Sequence, residues 1–352
     1  MSKNKIRFFL FLIISAFVLS FTFFQENKAY LISDHDRLFK TSFAGIDTVN
    51  TLSSLRKENG IIKINYYGDY GKLLNDVENR MINRSGGNSS EEIRCSMFAA
   101  FGDAGNLLYG RNFDNPECGV LIGLYNPPGK LSSIAFSRIN DLGFEKNVDI
   151  NSLSFEERKP FLSAPFFAPD GINECGVTVA LAYLRSLPVK ADKDKKYTFV
   201  THMVREILDN AKNIDEAVEI VKGMNVYDSN INTLSHHILI SDPSGRSVIM
   251  EYYDGEMKVI PNTESFQVIT NSPVYDRSLS SIKNTCWRYK NAFDLLKKFD
   301  GKVTREEGMD ILQSVSVKGT QWSAVYDMKE KSVYVSLYRD YKTVTRISFI
   351  DF

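Results

Sequence analysis

The chain has 352 residues, 43% of them hydrophobic, which is enough to bury a large core and excludes the disordered classes. Lys plus Arg and Asp plus Glu stand at 43 each, and this zero net charge speaks against a nucleic-acid partner or an acidic partner surface. The four cysteines, Cys95, Cys118, Cys175 and Cys286, are too few for a disulfide scaffold and follow no metal-ligand spacing.

The chain opens with Lys3, Lys5 and Arg7, an apolar run over residues 8–24 and a polar stretch from Gln25 to Lys28. This is the layout of a secretory signal peptide over residues 1–29, cut after Ala29, and it predicts a secreted or extracytoplasmic protein. The competing reading is an uncleaved membrane anchor through residues 8–24. Residues 30–94 form a mixed, polar stretch ahead of Cys95. It carries the turn-rich YYGDYG at 66–71, helical patterns at 73–82 and around 51–56, and an exposed NRSGGNSSEE linker at 83–92 that is suited to being cut. A plain interdomain linker is the alternative there.

Residues 95–114 predict a β-hairpin: two runs of strand-forming side chains flank Asp103, Ala104, Gly105 and Asn106, which supply turn chemistry. With its centre near Ala104, Met97 lies opposite Arg111 and Cys95 opposite Phe113, so Cys95 and Arg111 become diagonal neighbours on one face. Either this hairpin is a catalytic centre, or it is an ordinary buried one with a structural Arg/Asp pair and an inert cysteine. Strands are predicted next at 120–125, 131–137 and 177–184, followed by one long amphipathic helix over 202–221 with Met203, Ile207, Leu208 and Val218 on one face. Strands resume at 237–240, 247–252 and 266–270. Two helices follow at 287–299 and 304–313, the second opened by a Thr304/Glu307 capping box. Strands close the chain at 323–326, 332–338 and 343–350. Antiparallel runs interrupted by helical blocks predict an α+β fold of two sheets with helices outside.

Several short motifs, taken in order, resemble the choloylglycine hydrolase-like linear amide C-N hydrolases, cysteine members of the N-terminal nucleophile (Ntn) superfamily related to penicillin V acylase. They are the Cys95 hairpin with GRNFD at 110–114, DGINE at 170–174, LISD at 239–242 with Glu251, TNSP at 270–273, WRY at 287–289 and TQW at 320–322. The resemblance implies a four-layer αββα sandwich of two mainly antiparallel sheets over residues 95–352. It also implies that Cys95 is the first residue of the mature enzyme, after autocatalytic cleavage of the Arg94–Cys95 bond. Such a residue supplies a thiol nucleophile, and its free α-amino group, near pKa 7.7–8.0 in model peptides, supplies the base. By family match Asp114 would hold that amino group, Arg111 would lie beside the thiol, Asn271 would donate to the oxyanion and Arg288 would complete the positive field. The backbone N–H of Tyr183 joins the oxyanion site, and Phe166, Phe167 and Tyr183 are pocket candidates. No cofactor or metal is implied.

The expected substrate is a small N-acyl amide, cleaved through an acyl-thioester on Cys95. An acyltransferase using the same site is the near alternative, a non-catalytic exported binding protein a more distant one, and a Cys-His protease using His202, His236 or His237 a different enzyme class. Close relatives begin almost directly with the cysteine, whereas 94 residues precede it here, as in the proenzymes of the acid ceramidase and penicillin acyltransferase groups. The resemblance thus implies that residues 30–94 are a pro-segment, an added partner if it stays bound. Tyr183 stands where bile-salt hydrolases usually carry asparagine and penicillin V acylases an aromatic, and the stretch between Asn271 and Arg288 is shorter than in bile-salt enzymes.

Overall fold

The computed structural model describes residues 43–82, 94–103, 106–228 and 230–352. The expected signal peptide or anchor, the linker at 83–92 and the turn residues Ala104 and Gly105 lie outside the described residues. In chain order the strands are β1 (Arg56–Glu58), β2 (Ile61–Tyr67), β3 (Arg94–Asp103), β4 (Asn106–Asp114), β5 (Val120–Asn126), β6 (Ser133–Arg138), β7 (Asp170–Asn173) and β8 (Thr178–Pro188). Then come β9 (Lys196–Phe199), β10 (Met224–Tyr227), β11 (Thr233–Asp242), β12 (Arg246–Tyr253), β13 (Glu256–Pro261) and β14 (Phe266–Ile269). Last are β15 (Thr320–Asp327), β16 (Ser332–Leu337) and β17 (Thr345–Ser348).

Nine strands form one sheet in the order β1-β2-β5-β6-β7-β8-β11-β12-β13, and six form a second in the order β14-β3-β4-β15-β16-β17. Every pairing in both sheets is antiparallel except β2 with β5. Period-two alternation decides what each face meets. Met97, Ala99, Tyr109 and Trp322 of the six-stranded sheet pack against Ile122 and Leu239 of the nine-stranded sheet, making a core between the sheets. Phe98, Ala100 and Leu108 point the other way, onto Leu296, Met309 and Leu312 of the helices Trp287–Lys298 and Arg305–Ser314. On the far side of the nine-stranded sheet Ile64, Leu121 and Ile238 meet a helical layer that includes Leu73, Leu162 and Met203. The result is the expected four-layer αββα sandwich.

The described part of the segment ahead of Cys95, residues 43–82, is built into the main body. The hairpin β1–β2 turns at Asn59 and Gly60, both with positive φ (51° and 80°), the pattern of a tight two-residue hairpin. β2 then lies parallel to β5, and the helix Gly71–Ile82 buries Leu73, Leu74 and Val77 in the outer layer. The predicted helix near 51–56 is Thr48–Ser53, opened by Asp47, whose side chain accepts from the Asn50 N–H.

One predicted helix proves to be two. Residues 202–221 keep their apolar face, but Ala211 is extended and Asn213 accepts a hydrogen bond from Glu216 N–H at 3.0 Å, starting Ile214–Lys222 afresh after Val200–Asn210. The side chain of Asn213 offers the backbone a cap that periodicity does not register. The capping box of Thr304 and Glu307 is present as predicted.

Candidate active site

The hairpin β3–β4 has the predicted register, with Met97 opposite Arg111, Cys95 opposite Phe113 and Arg94 opposite Asp114. Cys95 and Arg111 therefore share the face between the sheets, while Ser96 and Asp114 point toward the helices. Gly110 makes this register feasible: a Cβ there would fall 2.2 Å from the Phe98 ring. A side chain at 110 would push apart the two strands next to Arg111.

Three distant segments converge on the backbone of Cys95. The Cys95 N–H donates to Asn271 Oδ1 at 2.8 Å. Arg288, brought in by the helix Trp287–Lys298 and 5% exposed, donates from Nη1 to the Cys95 carbonyl at 2.7 Å, to Ser96 Oγ at 3.0 Å and to Asp114 Oδ2 at 3.2 Å. Its Nη2 donates to Asn271 Oδ1 at 2.7 Å. Asn271 Nδ2 donates one hydrogen to the Tyr183 carbonyl at 2.7 Å, which leaves its second hydrogen for another acceptor. The pattern also fixes which end of the amide is oxygen, since Oδ1 receives two donors.

Asp114 does not hold the Cys95 nitrogen in this uncleaved chain. Its carboxylate takes Arg288 and, at 2.6 Å, the Thr320 hydroxyl. Burial pushes its pKa up to about 6, against the pull of Thr320 and of the cations Arg288, Arg111 and Arg94. Burial likewise raises the Cys95 thiol; Arg111, the Tyr183 backbone N–H and Arg288 draw it back without reversing the shift. The neighbouring cations therefore do not by themselves favour the thiolate here.

Arg111 is held from behind. Its Nε is paired with Asp170, Nη1 donates to the Leu181 carbonyl at 2.8 Å and to Met97 Sδ at 3.2 Å, and Asp170 also accepts from the Tyr326 hydroxyl at 2.6 Å. Burial disfavours its charge, but the fields of Cys95 and Asp170 keep the guanidinium firmly protonated. Asp170 and Thr320 both lie in motifs visible in the sequence, DGINE and TQW, yet nothing local assigns either to Arg111 or Asp114.

Two aromatic candidates are elsewhere. Phe166 is fully buried in the outer helical layer, against Phe199 and His202, and Phe167 packs beside it in the same cluster. Proximity in sequence to DGINE misled, because the segment Lys159–Phe167 is a 3₁₀ stretch on the far face of the nine-stranded sheet. Tyr183 is at the site through its backbone; its ring stands edge-on to His236 at 5.9 Å. The three candidate histidines are committed to other partners: His202 to Glu78 in the outer layer, His236 to Asp228, and His237 to Glu251 and the Thr270 carbonyl. All four cysteines are free thiols.

A family model described as "Linear amide C-N hydrolases, choloylglycine hydrolase family" matches residues 95–294, more than half of the chain. The chain belongs to that family. Among curated relatives it is 32% identical over 138 residues to a penicillin V acylase from Pectobacterium atrosepticum, covering 36% of this chain and 35% of that one. It is 30% identical over 128 residues to a bile salt hydrolase/transferase from Clostridium perfringens, covering 34% and 37%. The chain thus matches about a third of the length of each. Among solved structures, a penicillin V acylase from Agrobacterium tumefaciens superposes with a TM-score of 0.53 over 73% of this chain and 86% of the other, at 17% identity. A mutant conjugated bile acid hydrolase from Clostridium perfringens gives 0.54 over 73% and 93%, also at 17%. At that identity the likeness is one of fold, the Ntn-hydrolase sandwich. The family match begins on Cys95 itself and takes in Arg111, Asp114, Tyr183, Asn271 and Arg288.

Proposed function

We propose that this choloylglycine hydrolase-family chain is an exported cysteine Ntn hydrolase that cleaves the amide bond of a small N-acyl amide after freeing its own Cys95 amino group. The observation that carries the reading is the convergence of Asn271 and Arg288 on the backbone nitrogen and carbonyl of Cys95 rather than on its thiol alone. An inert core cysteine needs no such partners, whereas a residue that supplies nucleophile and base from one position does.

In maturation, the Cys95 thiol attacks the Arg94 carbonyl carbon, its proton passes to the departing nitrogen, and the peptide becomes a thioester with a free Cys95 amine. Water then releases the Arg94 carboxylate. In turnover the amine takes the thiol proton and the thiolate attacks the substrate carbonyl. The second hydrogen of Asn271 Nδ2 and the Tyr183 N–H meet the oxyanion, the amine leaving group takes the proton back, and water resolves the acyl-thioester. Arg111 favours the thiolate, and Asp114 receives the new ammonium group once the peptide bond is gone. The built-in position of residues 43–82 supports a pro-segment that stays bound after the cut. The amino-terminal charge and apolar pattern supports export, by signal peptide or with residues 8–24 as an anchor.

Mass spectrometry and amino-terminal sequencing of wild type beside Cys95→Ala test the maturation step. The expected result is a wild-type chain starting at Cys95 and an uncut mutant; an intact wild type that is nevertheless active would overturn it. Penicillin V and a conjugated bile salt, the substrates named for its relatives, are the first amides to assay, with no turnover expected from Cys95→Ala. A transferase outcome is a second reading, favoured by the hydrolase/transferase name of one relative. Acyl transfer to an added amine, at the expense of free acid, would establish it.

A further inference from the structure

The turn that carries Asn271 is gripped at both ends by a buried pair that the chemistry above does not use. On β11, His237 is fully buried, with Nε2 at 2.6 Å from the Thr270 carbonyl and Nδ1 at 3.0 Å from Glu251 Oε2 on the neighbouring β12. The Glu251 carboxylate, 1% exposed, also accepts the backbone N–H of Val274 at 3.0 Å and of Tyr275 at 3.2 Å. Leu239 and Ile249, two positions along the same strands, belong to the core between the sheets, so both side chains stand on that inner face.

A carbonyl only accepts, so Nε2 carries a hydrogen, while Nδ1 faces the carboxylate at hydrogen-bond distance. Neither ring nitrogen is open to the Cys95 thiol, which removes His237 as a protease-like base. The pair instead fastens Thr270 on one side of the turn and Val274 and Tyr275 on the other. Asn271, between them, bonds the Cys95 nitrogen, Arg288 and the Tyr183 carbonyl together. Backbone anchored at both ends is what such a three-way fit requires, since a displacement of about 1 Å at a reacting centre can cost on the order of a hundredfold in rate.

We propose that His237 and Glu251 are positioning residues for the oxyanion donor, setting the backbone of 270–275 so that the free hydrogen of Asn271 Nδ2 faces the developing charge. This rests on Asn271 being that donor. The test compares two reactions of Cys95 in the matured protein. Acylation by 4-nitrophenyl acetate passes through a tetrahedral oxyanion and releases 4-nitrophenolate; alkylation by iodoacetamide is a direct displacement of iodide with no oxyanion. His237→Leu is expected to slow acylation by about a hundredfold in kcat, with KM and the alkylation rate within about twofold of wild type. His237→Gln, whose amide can still donate to Thr270, restores part of the loss, and Glu251→Gln gives a smaller fall confined to acylation. In an Asn271→Ala background His237→Leu adds nothing further.

Acylation and alkylation falling together would overturn the proposal, as would no change in either for the soluble glutamine variants when the leucine variant does not fold. Failure of the underlying reading looks different: Asn271→Ala would then acylate as fast as wild type.

Discussion

Asp114 gives the site a pH dependence whose sign follows from its burial. An ordinary aspartate titrates near 3.8 and this one near 6, a difference equivalent to roughly 3 kcal/mol. The folded chain holds the proton more tightly than the unfolded chain does. Stability from this group is therefore fully present below the ordinary value and lost as pH rises through about 6. Urea denaturation of wild type and Asp114→Asn between pH 4 and 7 should show the variant gaining on wild type as pH rises, by up to that amount; parallel curves would contradict it. For Asn271→Ala, loss of one oxyanion donor is expected to lower kcat by about two orders of magnitude or more, read in steady-state kinetics. At this scale the hairpin was legible because spacing and a two-residue period place Cys95, Arg111 and Asp114 without any tertiary knowledge. Asp170 and Thr320 were not, since their partners lie 59 and 206 residues away in sequence. Arg288, on a helix far along the chain, is buried where Asp114, Asn271 and the Cys95 carbonyl all accept from it.

Among elements, the helix Gly71–Ile82 is clasped to the body through one buried carboxylate. Glu78 accepts the Phe199 N–H at 3.0 Å, the Tyr227 hydroxyl at 2.6 Å and His202 Nδ1 at 2.6 Å. Burial lowers the His202 pKa, but its bonds to Glu206 and Glu78 together outweigh that and raise it. The clasp is thus complete below the ordinary imidazole value of 6.5 and weakens as pH climbs through the raised one. Glu78→Ala should cost about 3–5 kcal/mol, as breaking a buried pair does, and the difference from wild type should shrink from pH 6 to pH 9 in denaturant titrations. Gly110→Ala is expected to cost about 1–3 kcal/mol through overpacking against Phe98, seen as a lower denaturation midpoint with Arg111 displaced. The strands flanking the site could be read from β-branched and aromatic runs, whereas the split at Ala211–Asn213 could not: an apolar face continues across it while a side-chain cap breaks the backbone. Asn59 and Gly60 were a readable hairpin signal, obscured by the polar composition around them.

At the scale of the molecule, the sandwich was legible from alternating strand patterns with helical blocks between them, whereas the pairing of residues 61–67 was not. Their polar surroundings hide a strand whose partner is visible only once β5 is known to lie beside it. Those six parallel residue pairs, from Ile62 with Leu121 to Tyr67 with Asn126, are what stand between β5 and the edge of the sheet. β5 reads VLIGLYN, uncharged and buried at all but its last residue. Remove residues 43–82 and its backbone donors and acceptors lie open along an apolar strand, a template for any extended chain, including its own copy. A chain limited to residues 95–352 should therefore elute from size exclusion as aggregate, and co-expressed residues 30–94 should return it to a discrete species. Seen this way, residues 43–82 are a cover for an aggregation-prone strand, and solubility is expected to require that they stay paired to β5 whether or not the backbone between them is whole.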